Sequence, residues 1–440
     1  MSMMKRKRAG SPLGETSRLS MSCLALAAIA GIHAHAGADT ITVCASGCEF
    51  SSINDAINAA ADGDVIQLEA ETYLEGAAIE LDGKSITLLG ATDTDGGPAS
   101  ILDGGDTHRV LRYISDGTGT TSLANLVVQN GASDSSGGGG LYISAGSPVI
   151  SNCLFTGNRS SGDGGGARSS NASPTFNDCI FEANGPAREA GGLYHSDGIA
   201  TIARCAFTDN TTKFRGGGLY LIGTGSVVED CTFTDNTAES GAGMTLFSEA
   251  TVSGCTFSNN FGNGLYLGYA GPTVRACLFV GNIGADGGGL VTVGANPAVF
   301  EDCTFQDNFA FFNGGGAYNT LGSPTFTGCT FTGNEAEFGG GGMATVLGTT
   351  TLEGCRFWCN TPNAFSGSYD GSDNCINEDC TECDPPCPGD LDGNGEVGVD
   401  DLLAMLAAFG TSDAGDLDGD DETTVDDLLI LLSNFGESCP

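Results

Sequence analysis

The chain has 440 residues, with 55 Asp and Glu against 16 Lys and Arg, a formal net charge of -39, 70 Gly and 18 Cys. A surface this acidic repels nucleic acid and anionic membranes and suits divalent cations. A composition rich in Gly, Asn, Asp, Ser and Thr is compatible with disorder, but the regular spacings below exclude it.

Residues 1–36 read as a secretory signal peptide. Lys5-Arg6-Lys7-Arg8 is a basic start, and Met21 to Ile32 is an apolar run shorter than a bilayer span. Ala34-His35-Ala36 and Ala36-Gly37-Ala38 each offer a small-x-small cleavage site. No later segment is apolar enough to cross a membrane. The expectation is a secreted, extracellular or cell-surface protein with no transmembrane segment after signal removal. Cys23 leaves with the signal.

Residues 39–64 form the next unit, a cap. Ser51 to Ala61 has the pattern of one short amphipathic helix, with Ser52 as N-cap and Ile53 and Ile57 on the apolar stripe. Cys44 and Cys48 fall in the same unit.

Residues 65–360 are dominated by a repeat: Cys, any residue, Phe, two residues, Asn. It runs through Cys153, Cys179, Cys205, Cys231, Cys255, Cys277, Cys303, Cys329 and Cys355, at steps of 26, 26, 26, 24, 22, 26, 26 and 26 residues. Between copies lie glycine pairs followed by a small or apolar residue, as in Gly191-Gly192-Leu193 and Gly217-Gly218-Leu219. Three residues before each Cys comes an apolar residue, such as Phe176, Ile202 or Val228.

Cys and Phe, two apart, share one face of a strand. The apolar residue three before Cys would fall on the opposite face of a straight strand. A corner or bulge between them is therefore required. Asn tolerates left-handed backbone and marks a second corner, and the glycines permit a third. No 3.6-residue periodicity of helix length occurs between residues 65 and 360, so helical and leucine-rich solenoids are excluded. One coil per repeat, stacked in parallel, gives a β-solenoid.

Val65 to Leu68 and Ile86 to Leu89 look like the first strands, and Asn125 to Asn130 like a degenerate copy with Asn in the Cys place. About twelve coils at roughly 4.8 Å make a rod on the order of 55 Å long. Trp358 in the last copy is placed to help cover the far end. The nine inward Cys read as stacked, buried free thiols.

The residue after each Gly-Gly-apolar element points outward. It is Tyr142, Tyr194, Tyr220, Tyr266 or Tyr318, with Arg168, Thr245, Val291 and Ala344 between them. These tyrosines are the candidate ligand-binding row, since rings in line on a sheet suit sugar rings; cross-strand packing of β-favoured residues is the plain alternative. No catalytic residue is assigned. His195 aligns with Ile143 and Leu221 and reads as a core substitution. Arg188, Asp209, Lys213 and Arg215 are the charges that most resemble a reactive cluster.

Residues 361–387 are a Cys-rich linker. Cys375, Cys380, Cys383 and Cys387 mimic a metal-binding run, but an exported chain favours disulfides. Cys387 and Cys439 bracket the last unit and are expected to clasp it.

That unit, residues 388–440, holds two copies of a twelve-residue calcium-loop pattern, 26 residues apart. Loop one offers Asp390, Asp392, Asn394, the Glu396 carbonyl and Asp401; loop two offers Asp416, Asp418, Asp420, the Glu422 carbonyl and Asp427. Calcium needs six to eight hard oxygens around one point, and these positions supply them. Gly395 gives loop one its sharp turn, whereas Asp421 stands there in loop two, so the second of the two Ca2+ sites should be the weaker. An apolar helix follows each loop. The unit has fourteen acidic residues and no Lys or Arg, so metal must offset the repulsion.

Two resemblances rest on these motifs. The coil repeat resembles right-handed parallel β-helix proteins of the pectate-lyase-like superfamily. Its Gly-Gly-apolar and Phe-x-x-Asn elements resemble polymorphic-outer-membrane-protein repeats. The implied fold class is all-β, a right-handed parallel β-helix with a small α-helical C-terminal domain. Residues 388–440 resemble a type I dockerin. That resemblance implies docking onto a cohesin-like or other cell-surface protein. Val399-Asp400 and Val425-Asp426 replace the Ser-Thr pairs of cellulosomal members. The functional expectation is a polysaccharide-binding or structural, adhesive rod tethered through that module. The alternative is a polysaccharide lyase or glycoside hydrolase.

Overall fold

The computed structural model describes residues 38–115, 120–269, 271–294, 297–377, 380, 389–392, 396–410, 415–417 and 423–436. The signal-peptide residues and Cys383, Cys387 and Cys439 lie outside them.

Residues 38–377 build a parallel β-solenoid whose three long sheets have 14, 13 and 12 strands. One coil shows the rule. Thr201–Ala203 lies in the first sheet, Ala206–Thr208 in the second and Leu219–Ile222 in the third, each in parallel register with its equivalents above and below. Solenoid pairing begins earlier than the sequence pattern suggests, because Thr40–Val43 pairs with Val65–Leu68. It continues through Tyr369–Asp370 and Cys375–Ile376.

The corner required before Cys is a single residue with left-handed backbone. Asn152, Asp178, Arg204, Asp230 and Ala276 stand there with φ between 48° and 54°. The rotation puts Phe176 and Phe181, on different strands, into one core. The second corner differs from expectation. Left-handed backbone falls on the residue before the motif Asn, as at Ala183, Asp209 and Asp235. The Asn itself turns inward and is buried. Asn210 Nδ2 donates to Phe181 O (2.8 Å) and Asn236 Oδ1 (3.0 Å), while its Oδ1 accepts from the backbone N–H (3.1 Å) and Nδ2 (3.0 Å) of Asn184. The same pattern links Asn158 through Asn360 into one amide ladder.

Phe155, Phe181, Phe207, Phe233, Phe257, Phe279, Phe305, Phe331 and Phe357 form one continuous stack. Successive centroids are 4.4 to 4.9 Å apart, the spacing of neighbouring strands. The second glycine of each pair is needed at this stack. A Cβ on Gly218 would lie 2.7 Å from Gly243 O and 3.0 Å from Phe207 Cβ. The nine ladder thiols are free and buried, as the sequence suggests. Burial pushes the Cys179 and Cys329 thiols up. In the degenerate coil the register is one residue off the sequence reading. Leu126, not Asn125, takes the Cys place, Val128 takes the Phe place, and Asn125 is the left-handed corner.

Helix α1, Ile53–Ala59, closes the first coils with Ile53, Ala56 and Ile57 buried, and Ser52 Oγ accepts the Asp55 N–H as its N-cap. Disulfides join Cys44 to Cys48 and Cys359 to Cys380, and Cys375 is also disulfide-bonded. Trp358 is half-buried on the penultimate strand of its sheet, pairing with Thr332, and a further coil lies beyond it.

In the C-terminal unit, α2 (Val399–Ala408) and α3 (Val425–Ser433) pack around buried Val397, Met405 and Leu431. Each helix end is braced on the opposite loop: Gly410 N–H donates to Thr423 O (3.0 Å) and Gly436 N–H to Val397 O (2.8 Å). Thr423, polar where loop one has Val397, is buried, and its Oγ1 accepts the Gly415 N–H. No helix among the described residues is long and apolar enough to cross a membrane.

Candidate functional site

The third sheet brings the tyrosine row together in strict register. Tyr142 pairs with Arg168, then come Tyr194, Tyr220, Thr245, Tyr266, Val291, Tyr318 and Ala344. Tyr220 is buried at 8 % exposure, and the other four tyrosines are half-buried. Their ring faces are used within the protein. Tyr194 and Tyr220 stack at 5.2 Å and 13°. The other face of Tyr194 carries the Arg168 guanidinium, and Tyr220 meets Phe247. Arg109 lies over Tyr142, and Arg215 over both Phe247 and Tyr266. The row is a packed strip of aromatic edges and guanidinium groups.

The loops between each buried Asn and the next glycine pair run beside this strip as a ridge. Where the ridge meets Tyr220, a cavity of about 330 Å³ is lined by Glu189, Phe214, Arg215, Glu239 and Ser240. Burial pushes the Glu189 carboxyl above the usual range, against the pull of Arg215. Its Oε2 is buried without a hydrogen-bond partner. Tyr220 is raised to about 12, first by burial and then by the Glu189 charge, with Arg215 beside its hydroxyl. Sequence reading singled out Arg215 but passed over Glu189, Glu239 and Phe247. They belong to loops and turns of irregular composition, where only the coil register brings them to Tyr220.

The ridge has a notch next to this cavity. Seven residues lie between Asn210 and Gly218, but only three between Asn260 and Gly264. The 22-residue step in the repeat is this missing loop. Such a short connection cannot wall off Arg215 and Tyr266.

The other charges do not converge. Arg188 forms a bidentate pair with Asp163 (2.9 and 2.8 Å). Lys213 lies over the ring of Phe214, and Asp209 sits exposed at its corner. His195 is fully buried between Ser169 and Leu221 in register, and burial lowers its pKa. It is a core residue, as its alignment implies.

The calcium-loop residues are placed in part. Carboxylate oxygens of Asp390, Asp392 and Asp401 lie within 4.8 Å of one another, a spacing that fits a hard cation. Asp401 Oδ1 accepts the Leu391 and Asp392 N–H groups, and its Oδ2 accepts Gly398 N–H. Burial pushes Asp401 up, but these donors together hold it below the usual carboxylate range. Asp427 accepts the Leu417 and Thr424 N–H groups in the same way. Glu396 and Asp416 are described at the loops; Asn394, Asp418, Asp420 and Glu422 lie outside the described residues.

The family described as right handed beta helix region matches residues 189–324, which contain the cavity. The solenoid is a right-handed parallel β-helix. Among solved structures, this β-helix is similar to a pectate lyase (TM-score 0.33, 13% identity, 84% of this chain and 86% of that one). It is also similar to the catalytic domain of an alpha-1,3-glucanase (0.33, 12%, 79% and 71%). A third is the A-module of a mannuronan C-5 epimerase from Azotobacter vinelandii (0.28, 14%, 74% and 94%). No curated protein matches the chain.

Proposed function

We propose that the protein is an extracellular polysaccharide-binding rod, held at a cell surface or scaffold through a calcium-dependent, dockerin-like module. The observation that carries the binding reading is the strip of Tyr194, Tyr220, Phe247 and Tyr266 with Arg215 and Glu189 beside one open cavity. Aromatic edges, a guanidinium donor and a carboxylate acceptor are the groups that grip sugar hydroxyls and ring hydrogens. Tethering is supported by the Asp390, Asp392 and Asp401 cluster. It is supported too by the exposed apolar row of Leu403 and Leu406 on α2, repeated as Leu429 and Leu432 on α3. Such a doubled apolar face suits a cohesin-like or other surface protein.

Affinity electrophoresis of the full chain against a panel of polysaccharides tests the binding reading. The parent should be retarded by at least one polymer, and the Tyr194→Ala, Tyr220→Ala double variant should run free. One observation favours a second reading, cleavage by a polysaccharide lyase or glycoside hydrolase: Glu189 has the raised pKa of a general acid and faces Arg215. Release of new reducing or unsaturated ends from the retained polymer would establish that reading instead.

A further inference from the structure

What the cavity beside Tyr220 offers a ligand depends on how each nearby cation is already used. Five arginines lie along the tyrosine strip. Arg112 is paired with Glu80 and Asp82. Arg188 is paired with Asp163. Arg109 donates to Ser136 Oγ and to the Gly137 and Gly138 carbonyls. Arg168 donates to the Ser136 carbonyl and covers Tyr194. Arg215 alone lines the cavity, and there it faces two carboxylates, Glu189 and Glu239.

A polyanion would gain the Arg215 guanidinium and, at the rim, the Lys213 ammonium held over Phe214. It would meet the partly buried Glu189 and exposed Glu239 carboxylates and the field of a chain with net charge -39. Glu189 Oε2, buried with no donor, asks for a hydroxyl or amine hydrogen. An ammonium ligand would satisfy it but would sit against Arg215. A pair of neighbouring sugar hydroxyls satisfies both, one donating to Glu189 and one accepting from Arg215. The connection from Asn260 to Gly264, in the coil beyond Glu239, is four residues shorter than the one from Asn210 to Gly218.

We infer that the Glu189–Arg215 cavity binds a neutral, hydroxyl-rich glycan segment and discriminates against polyuronates. This inference rests on the polysaccharide-binding reading above and narrows its substrate class. The test is binding of the full chain to a neutral galactomannan, to polygalacturonate and to chitosan, at about 50 and about 500 mM salt, where the Debye length shrinks several-fold. The neutral polymer should bind with a Kd that changes less than about twofold between the two salts. Polygalacturonate should bind at least tenfold more weakly, since like charge across an interface is costly. Glu189→Ala and Arg215→Leu should each weaken galactomannan binding about tenfold, the loss of one hydrogen bond to a charged group. Glu189→Gln, which keeps an acceptor, should weaken it less.

Preference for polygalacturonate with affinity that collapses at high salt would overturn the inference and leave the binding reading intact. Preference for chitosan would do the same. An undiminished affinity in a folded Glu189→Ala variant would remove this cavity from the site. If none of the wider panel is retained, the binding reading itself fails.

Discussion

The β-helix coil and the half of the C-terminal module share a 26-residue step, yet they are held in opposite ways. Each inner coil of the ladder buries Cys, Phe and Asn against identical residues above and below, so order there comes from like stacked on like. The module buries little: among the described residues its core is Val397, Met405 and Leu431, with four half-buried leucines around them. Its carboxylates gather at the loops and repel one another. A period in sequence is thus evidence of a repeated unit and says nothing of what stabilises it. In the β-helix that is close packing; in the module it should be metal, whose binding energy becomes folding energy.

The largest consequence of this contrast is a selective response to chelation. With EDTA, limited proteolysis of the full chain should cut within 388–440 and leave 38–377 intact, and calcium should restore protection. Equal protection with and without chelator would show that the module folds on its small core alone. Asp390→Ala should raise the calcium needed for protection more than Asp416→Ala does, because loop two already lacks its glycine.

The converse applies to the β-helix, which should be sensitive to one neutral side chain and indifferent to chelator. Asn210→Ala would remove four hydrogen bonds from the amide ladder and leave the Asn184 N–H without its acceptor. A cost of about 3 to 5 kcal/mol in chemical denaturation is expected, since each buried unpaired group costs about 1 to 3. A loss below about 1 kcal/mol would mean that the ladder is ornamental beside the Phe stack.

The smallest effect separates the two regions by pH. His195 is buried and neutral in the folded β-helix, with its pKa lowered by burial. The unfolded chain takes up its proton near 6.5, so the unfolded state binds more protons below that pH. Stability should therefore be complete above about pH 7 and fall as the pH drops through about 6.5. His195→Leu, matching Leu221 in the next coil, should remove that part of the acid sensitivity in thermal unfolding at pH 7.5 and 5.5. Equal acid sensitivity in parent and variant would assign it all to carboxylates.

Most of the solenoid was legible because a one-dimensional repeat writes the same local rule many times. The Cys and Phe columns, the corner before Cys and the N-terminal helix followed from spacing. The inward turn of Asn158 to Asn360 did not, since Asn suits a left-handed corner equally well; only the three-dimensional stack shows that the amides bond to one another. The Thr40–Val43 strand was missed because its four residues carry no repeat motif. The tyrosine row was readable as a row. Its ring faces were not, because Arg109, Arg168 and Arg215 arrive from loops and strands one or two coils away. Glu189 was invisible for the same reason.

The amide ladder also bears on how such a chain can change over time. Each asparagine offers the coil above what it takes from the coil below, so any ladder coil can sit on any other. Duplication or loss of one 26-residue stretch between Asn158 and Asn360 would leave the amide ladder chemically unchanged and lengthen or shorten the β-helix by about 4.8 Å. Copy number is therefore a dial that heredity can turn without inventing a new contact. The 22-residue coil at Asn260–Gly264 is a place along the ladder where such a shuffle would erase a distinguishing mark.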